Sequence, residues 1–356
     1  MRIAVTGASG FVGGGVCRAL ASEGVTTYAF GRRPAVDPAH VGGAGYRSWD
    51  LTHGPLTDPP GVDAVVHCAG SATDWGPAAA LFAANLTGTR NALATFPGAR
   101  FVHVSTASVY DPYRPSVMAR EDEAPVRRYM NAYGASKAAA ERLAAARGAI
   151  VLRPHAVYGP GDTTLLPRVL SAVRGPILLA AGTGRRFVSL TSSGNLARAC
   201  VLAATGPVTS GVYNIADAEP VVLDDAFREI LRERGVRARP VYVPARVARP
   251  LAAVAEGAYL LARRPEPPRI TRYAIGHLAV ERTLDITAAR EDLGYDPAPT
   301  SFAGAARLVS VNLGLTIQDR QPMVDACPNP HRRPSRSAWT TSSTPSRRST
   351  PTPSNS

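Results

Sequence analysis

Lysine is nearly missing from this chain. Of its 40 basic residues 39 are arginine, and the one lysine is Lys137. Cysteine is scarce too. Four thiols, at positions 17, 68, 200 and 327, form no CxxC pair. That excludes a disulfide-dense secreted domain and fits a reduced, cytoplasmic setting. No His, Cys and carboxylate spacing predicts a metal site. Long apolar runs are absent, because residues 245–262 are interrupted by Arg246, Arg249 and Glu256. Neither a membrane span nor a signal peptide is expected. Aromatic residues make up 6% of the chain and do not alternate with its basic residues. Acidic residues number 27 against 40 basic ones, a net charge of +13. Residues 316–356 hold six Arg and two Asp, which is +4 and leaves +9 scattered over the rest. Scattered arginines without interleaved aromatics predict no nucleic-acid partner.

Short apolar segments alternate with helical stretches through the first half. The strands expected are residues 3–6, 26–30, 64–68, 101–105 and 150–153, with helices starting near Phe11, Pro77 and Asn131. This rhythm predicts an α/β fold with a parallel, doubly wound sheet. From Gly159 the pattern loosens into a smaller C-terminal lobe. The expected division is a dinucleotide-binding portion at 1–158, to which 187–205 return, a substrate-binding lobe at 159–315, and a tail at 316–356. In residues 327–356, 19 of 30 are Ser, Thr or Pro and none is acidic. Such a tail buries too little apolar surface to offset its ordering entropy, so disorder is expected.

The first strand runs into Thr6-Gly7-Ala8-Ser9-Gly10-Phe11-Val12-Gly13 and then into a helix. In that context Gly7 permits a tight turn, Gly10 lets the backbone approach a pyrophosphate, and Gly13 lets helix and sheet pack closely. The helix N-terminus offers unpaired N–H groups to the phosphates. The second strand ends in Phe30-Gly31-Arg32-Arg33, where an NAD site usually has an acidic residue. An arginine there suits a 2′-phosphate, so NADP is expected, with NAD as the alternative. Further on, Tyr133 and Lys137 are spaced i,i+4 and share one helical face. A phenol beside an ammonium ionises more easily, which makes the pair a proton-transfer device.

Thr-Gly-x-x-Gly-Phe-x-Gly, Tyr-x-x-x-Lys and Arg153-Pro154-His155-Ala156-Val157-Tyr158-Gly159-Pro160-Gly161-Asp162 together resemble the extended short-chain dehydrogenase/reductases, the NAD(P)-dependent epimerase/dehydratase family. The resemblance covers about residues 1–315. It implies a Rossmann fold and a cofactor site made of Thr6, Gly7, Ser9, Gly10, Phe11, Val12, Gly13, Arg32, Asp50, Leu51, Cys68, Ala69, Gly70, Asn85, Tyr133, Lys137 and His155. It also implies a catalytic set in which Tyr133 exchanges the proton, Thr106 holds the reacting oxygen and Lys137 binds the nicotinamide ribose. His67 and His155 are given no part in proton transfer. A homodimer through the helices carrying Asn85 and Tyr133 is implied as well.

Ala107-Ser108 stands where dehydratases of the family carry Asp-Glu, so dehydration is not expected. Gly194-Asn195, in place of Val-x-Asp, and the stretch from Pro267 to Pro297 resemble the 3β-hydroxysteroid dehydrogenase and dihydroflavonol reductase branch. The activity implied is hydride transfer between NADPH and a ketone or secondary alcohol of a small hydrophobic or cyclic molecule. A nucleotide-sugar 4-epimerase or 4-ketoreductase is the enzymatic alternative, and a non-catalytic NADP-binding regulator the other. Residues 246–262 either line a pocket for a hydrophobic substrate or pack the core of the lobe.

Overall fold

The computed structural model describes residues 1–264 and 266–303. The expectations for the tail, 316–356, lie outside the described residues.

Seven parallel strands form one sheet: β1 (Arg2–Thr6), β2 (Thr26–Gly31), β3 (Gly45–Ser48), β4 (Ala64–His67), β5 (Arg100–Val104), β6 (Ile150–Pro154) and β7 (Gly211–Ile215). Their order across the sheet is β3-β2-β1-β4-β5-β6-β7. Chain order reverses direction beside β1, and there the strand ends open a crevice for a ligand. The central strands are apolar on both faces, as a sheet covered on both sides requires. On one face α1 (Phe11–Ser22) and α6 (Ser193–Thr205) bury Val16, Leu20, Leu196 and Ala199 against Ile3, Val5, Val102 and Ile150. On the other, α3 (Gly88–Thr95) and α4 (Ala132–Ala145) bury Ala92 and Ala144 in a cluster with Ala4, Val65 and Phe101. Helix α2 (Ala78–Phe82) leads into α3 through a π-helical stretch at Ala83–Thr87 that contains Asn85.

Two strands of this sheet escaped the sequence reading, as did the short strands outside it, among them Ser116–Ala119, Ile177–Ala181 and Arg239–Val243. β3 is four residues long and largely exposed, so it shows no apolar alternation. β7 begins at a glycine and pairs only with β6, at the sheet edge.

The remaining helices belong to the C-terminal half: α5 (Leu165–Ser171), α7 (Leu223–Glu233), α8 (Ala245–Leu261), α9 (Arg272–Leu278) and α10 (Thr287–Leu293). Helix α8 packs on the lobe with a narrow face and turns much of its apolar surface outward. It buries only Ala248, Ala252 and Glu256, because small residues at this spacing suit close packing on α9 and leave its larger side chains outside.

Candidate functional site

At the end of β1 the chain turns through Gly7, whose φ of +71° is left-handed. A Cβ there would lie 2.7 Å from the Ala69 nitrogen. One on Gly13 would lie 2.3 Å from the Gly7 carbonyl oxygen, and one on Gly10 3.2 Å from it. Gly10 is the N-cap of α1 and no side chain caps the helix. The backbone therefore forms a narrow cradle with an uncapped helix end beside it, which fits a pyrophosphate. The Thr6 hydroxyl faces inward, 2.7 Å from Nδ1 of buried His67, whose Nε2 is 3.0 Å from Thr89 Oγ1. Ser9, Phe11 and Val12 stay partly exposed along the turn.

Arg32 follows β2 and is exposed, with no ion pair among the described residues. Asp50 accepts a hydrogen bond from the Thr52 nitrogen at 2.9 Å. Hydrogen bonds from Thr52 hold its carboxyl below the usual range. Leu51 is buried beside it, and its carbonyl accepts from Asn91 Nδ2 at 2.7 Å. After β4, Cys68 and Ala69 are partly buried and Gly70 is exposed. Asn85 pins this segment: its Oδ1 accepts from the Ser71 nitrogen at 2.7 Å, and its Nδ2 donates to Ser136 Oγ at 2.9 Å. The π-helical stretch at Ala83–Thr87 and α4 are thus joined through one amide side chain.

Helix α4 starts where Asn131 accepts from the Gly134 nitrogen at 3.0 Å. Its buried face carries Tyr133, Lys137 and Glu141 at successive i,i+4 positions. Burial raises the Tyr133 phenol above its ordinary value and the Asp74 carboxylate adds to the rise, while the Thr106 hydroxyl works in the opposite direction. Lys137 donates to the Val104 carbonyl at 2.6 Å. Burial pulls its ammonium down to about 8, while Glu141 works to keep the charge. The depressed phenol expected from the neighbouring ammonium is therefore not found: burial and the Asp74 carboxylate outweigh the lowering by Thr106.

Glu141 takes its place through a buried ion pair with Arg153, 2.7 Å from Nη2, and accepts from Ser105 Oγ at 2.5 Å. Arg153 also donates to the carbonyls of Glu121 and Ala124 at 2.7 and 2.8 Å. The base of the loop that follows Thr106 is thereby tied to the sheet. Arg282 holds the outer part of the same loop, donating to the carbonyls of Asp111, Pro112 and Arg114 at 2.8, 2.9 and 2.9 Å.

From the C-terminal half, α9 brings Tyr273 to 2.6 Å from Ser108 Oγ, hydroxyl to hydroxyl. The Tyr273 ring meets Tyr133 edge-on, centroids 6.3 Å apart. His277 packs on Tyr273 at 4.5 Å, and its Nδ1 is 3.2 Å from His155 Nε2. His155 Nδ1 lies 2.6 Å from the Ser189 carbonyl. Burial lowers the His155 imidazole to about 4, so it stays neutral. Asp74, on the loop after β4, accepts from Arg168 of α5 and from the Thr271 hydroxyl, both at 2.9 Å. No three potential metal ligands converge among the described residues.

Thr106 and Tyr133 therefore meet at the strand ends with Lys137 beside them and the glycine cradle in the same crevice. The sequence reading missed Glu141, Tyr273, His277 and the Asp74, Arg168 and Thr271 cluster. Glu141 had a signal, being the only acid on the face that holds Tyr133 and Lys137. The others come from distant segments and had none.

A profile of the NAD dependent epimerase/dehydratase family matches residues 3–216. The 2-alkyl-3-oxoalkanoate reductase of Stenotrophomonas maltophilia is 33% identical, over 86% of this chain and 98% of that protein. The 3 beta-hydroxysteroid dehydrogenase/Delta 5-->4-isomerase of Mycobacterium tuberculosis is 26% identical, over 84% of this chain and 87% of its own. Among solved structures, UDP-glucuronic acid 4-epimerase from Bacillus cereus in complex with NAD superposes with a TM-score of 0.65 at 21% identity. That alignment covers 86% of this chain and 97% of the epimerase. The chain belongs to the NAD dependent epimerase/dehydratase family. It is an NAD(P)-dependent oxidoreductase with the Rossmann architecture of the extended short-chain enzymes, as the motifs implied.

Proposed function

We propose that the protein reduces the ketone of a small hydrophobic molecule with NADPH, Tyr133 supplying the proton to the carbonyl oxygen. The observation that carries this reading is the Tyr133 phenol itself, buried on the face of α4 that also holds Lys137, with Thr106 acting on it and burial raising it above its ordinary pKa. A phenol that holds its proton at neutral pH is an acid, which is what a carbonyl oxygen gaining negative charge requires. Thr106 positions that oxygen. Lys137, anchored by the Val104 carbonyl, supplies positive charge and the hydrogen-bonding group for the nicotinamide ribose. The reduced nicotinamide, when bound, supplies the hydride. Tyr273 and His277 form the lobe side of the cleft and set its shape.

Three parts of the reading extend beyond the chemistry. NADPH is preferred to NADH because Arg32 is exposed and unpaired at the end of β2, where the 2′-phosphate would sit. The substrate lobe lies within residues 159–303, apart from 187–205 and, against the division expected from sequence, β7 (Gly211–Ile215), which belongs to the dinucleotide-binding sheet. Residues 304–315 of the expected lobe lie outside the described residues. The protein works as a cytoplasmic homodimer joined through the helical stretch that carries Asn85 and through α4, which carries Tyr133, and its free Cys17, Cys68 and Cys200 suit that reducing compartment.

The test is NADPH oxidation against a panel of ketones: 3-oxo acids, cyclic and sterol-like ketones, and UDP- or dTDP-linked 4-keto sugars. Turnover with the hydrophobic ketones and a higher kcat/KM for NADPH than NADH is expected. Turnover confined to the sugar nucleotides would replace this reading with an epimerase or ketoreductase of that class. Tight NADPH binding without turnover of any ketone would replace it with a regulator.

A further inference from the structure

Half of the large apolar side chains that face water among the described residues sit on or at the end of one helix. On α8, Val247 is 44% exposed, Leu251 63%, Val254 73%, Leu260 64% and Leu261 89%. At about 100° per residue, Val247, Leu251, Val254 and Leu261 fall within an arc of roughly 80°. Pro250, Gly257 and Ala258 widen that arc without adding a polar group. The opposite side packs on α9 through Ala248 and Ala252, which share a cluster with Ile275. The helix thus presents outward a contiguous apolar stripe that its packing on α9 does not use, and such a stripe marks a binding surface.

Charge decides what the stripe meets. Arg246 stands near its start, and Arg263 and Arg264 just beyond its end, while Arg249 is turned to the opposite side. The one acid of the helix, Glu256, faces inward and is taken up by the backbone nitrogen and Nε of Arg272, both at 2.6 Å. Two copies packed antiparallel along this face would set Arg246 of one against Arg263 and Arg264 of the other. Packed in parallel, each arginine would meet its own equivalent. Either arrangement places cation against cation at both ends. An anionic lipid surface instead satisfies the apolar stripe and the flanking arginines together. No described helix is long and apolar enough to cross a membrane, so α8 would lie in the plane of the surface.

We propose that the outward face of α8 docks on the surface of an anionic phospholipid bilayer. This inference goes beyond the reductase reading and does not depend on it. Because α9, on which α8 packs, carries Tyr273 and His277, docking would leave the cleft one helix away from the lipid.

The test is co-sedimentation of the full chain with vesicles of phosphatidylcholine alone and of equal parts phosphatidylcholine and phosphatidylglycerol. Binding to the mixed vesicles and not to the neutral ones is expected. The double variant Leu251→Glu/Val254→Glu should weaken that binding about tenfold or more, since apolar insertion is lost. NADPH affinity and thermal midpoint should stay at wild-type values, because both side chains are exposed. Arg263→Gln/Arg264→Gln should weaken binding and flatten its salt dependence. Absence of binding to the mixed vesicles would overturn the proposal. So would binding that the double Glu variant leaves unchanged, since the net charge alone would then explain it. A dimer in sedimentation equilibrium that the same variant dissolves, without vesicle binding, would assign the face to self-association instead. Should the Glu variant lose its fold, Leu251→Ser/Val254→Ser reads the same outcomes.

Discussion

The ammonium of Lys137 donates to the carbonyl oxygen of Val104, the last residue of β5, at 2.6 Å. The lysine is fixed to the strand that leads into Thr106, and the fit is specific to a compact ammonium on a flexible stem. Guanidinium is planar and larger. Lys137→Arg keeps the charge and should still lower kcat/KM about 100-fold or more. The check is steady-state ketone reduction beside a thermal melt, and near-normal turnover would remove Lys137 from the mechanism.

The same group sets a pH limb. With its ammonium pulled down to about 8 by burial, the free enzyme loses the charge as pH rises through that value. The kcat/KM for reduction should fall about tenfold per pH unit above pH about 8. A profile that stays flat to about pH 10 would assign the essential charge elsewhere.

Three buried imidazoles and the half-buried His277 predict acid sensitivity. Burial holds His67 at about 3 and His155 at about 4, with His103 and His277 well below the ordinary histidine value. Each is neutral when folded, whereas the unfolded chain takes up protons below the ordinary value of 6.5. Stability from these groups is therefore complete above about pH 6.5 and is lost as pH falls towards the folded values. His103 also leaves both ring nitrogens buried without a hydrogen-bond partner. His103→Leu should leave stability at neutral pH unchanged or raise it by about 1 kcal/mol, and should flatten the acid slope. Thermal midpoints across pH for both proteins decide the matter.

Removing one member of the Glu141 and Arg153 pair strands the other. Both side chains are almost wholly buried, so Glu141→Leu should cost about 3–5 kcal/mol, seen as a lower urea midpoint. A loss below about 1 kcal/mol would show that the main-chain carbonyls alone satisfy Arg153.

The glycine cradle predicts a graded response. A methyl group on Gly13 would collide with a backbone oxygen at 2.3 Å, which no side-chain rotation relieves, whereas on Gly10 the same oxygen is 3.2 Å away. Gly13→Ala should weaken NADPH binding about tenfold or more and lower the melting point. Gly10→Ala should leave the melting point closer to wild type while still crowding the pyrophosphate. Fluorescence titration with NADPH separates the two effects.

What could be read from the chain followed how local each feature is. The turn from Thr6 to Gly13 and the spacing of Tyr133 and Lys137 lie within single stretches of sequence, and their geometry follows from the period of one strand or one helix. The ends of β1, β4 and β5 were legible because buried parallel strands are nearly continuous apolar runs. Tyr273 meets Ser108 across 165 positions, and Thr271 meets Asp74 across 197. No periodicity carries such contacts, because they exist only once α9 has docked. The raised Tyr133 phenol was illegible for a related reason. Desolvation depends on what closes over a group, and spacing along a helix describes only one side of that enclosure.

The loop after Thr106 is held by two arginines that it does not contain. Arg153 fastens its base from β6, and Arg282 fastens its outer part from beyond α9. Its shape is therefore written elsewhere in the chain. Grafting the corresponding loop from a relative to change what the enzyme accepts would transplant a segment without its moorings. A chimera that exchanges residues 107–124 has to bring the environments of Arg153 and Arg282 with it, and that of Asn214, whose Nδ2 donates to the Ala119 carbonyl at 2.9 Å.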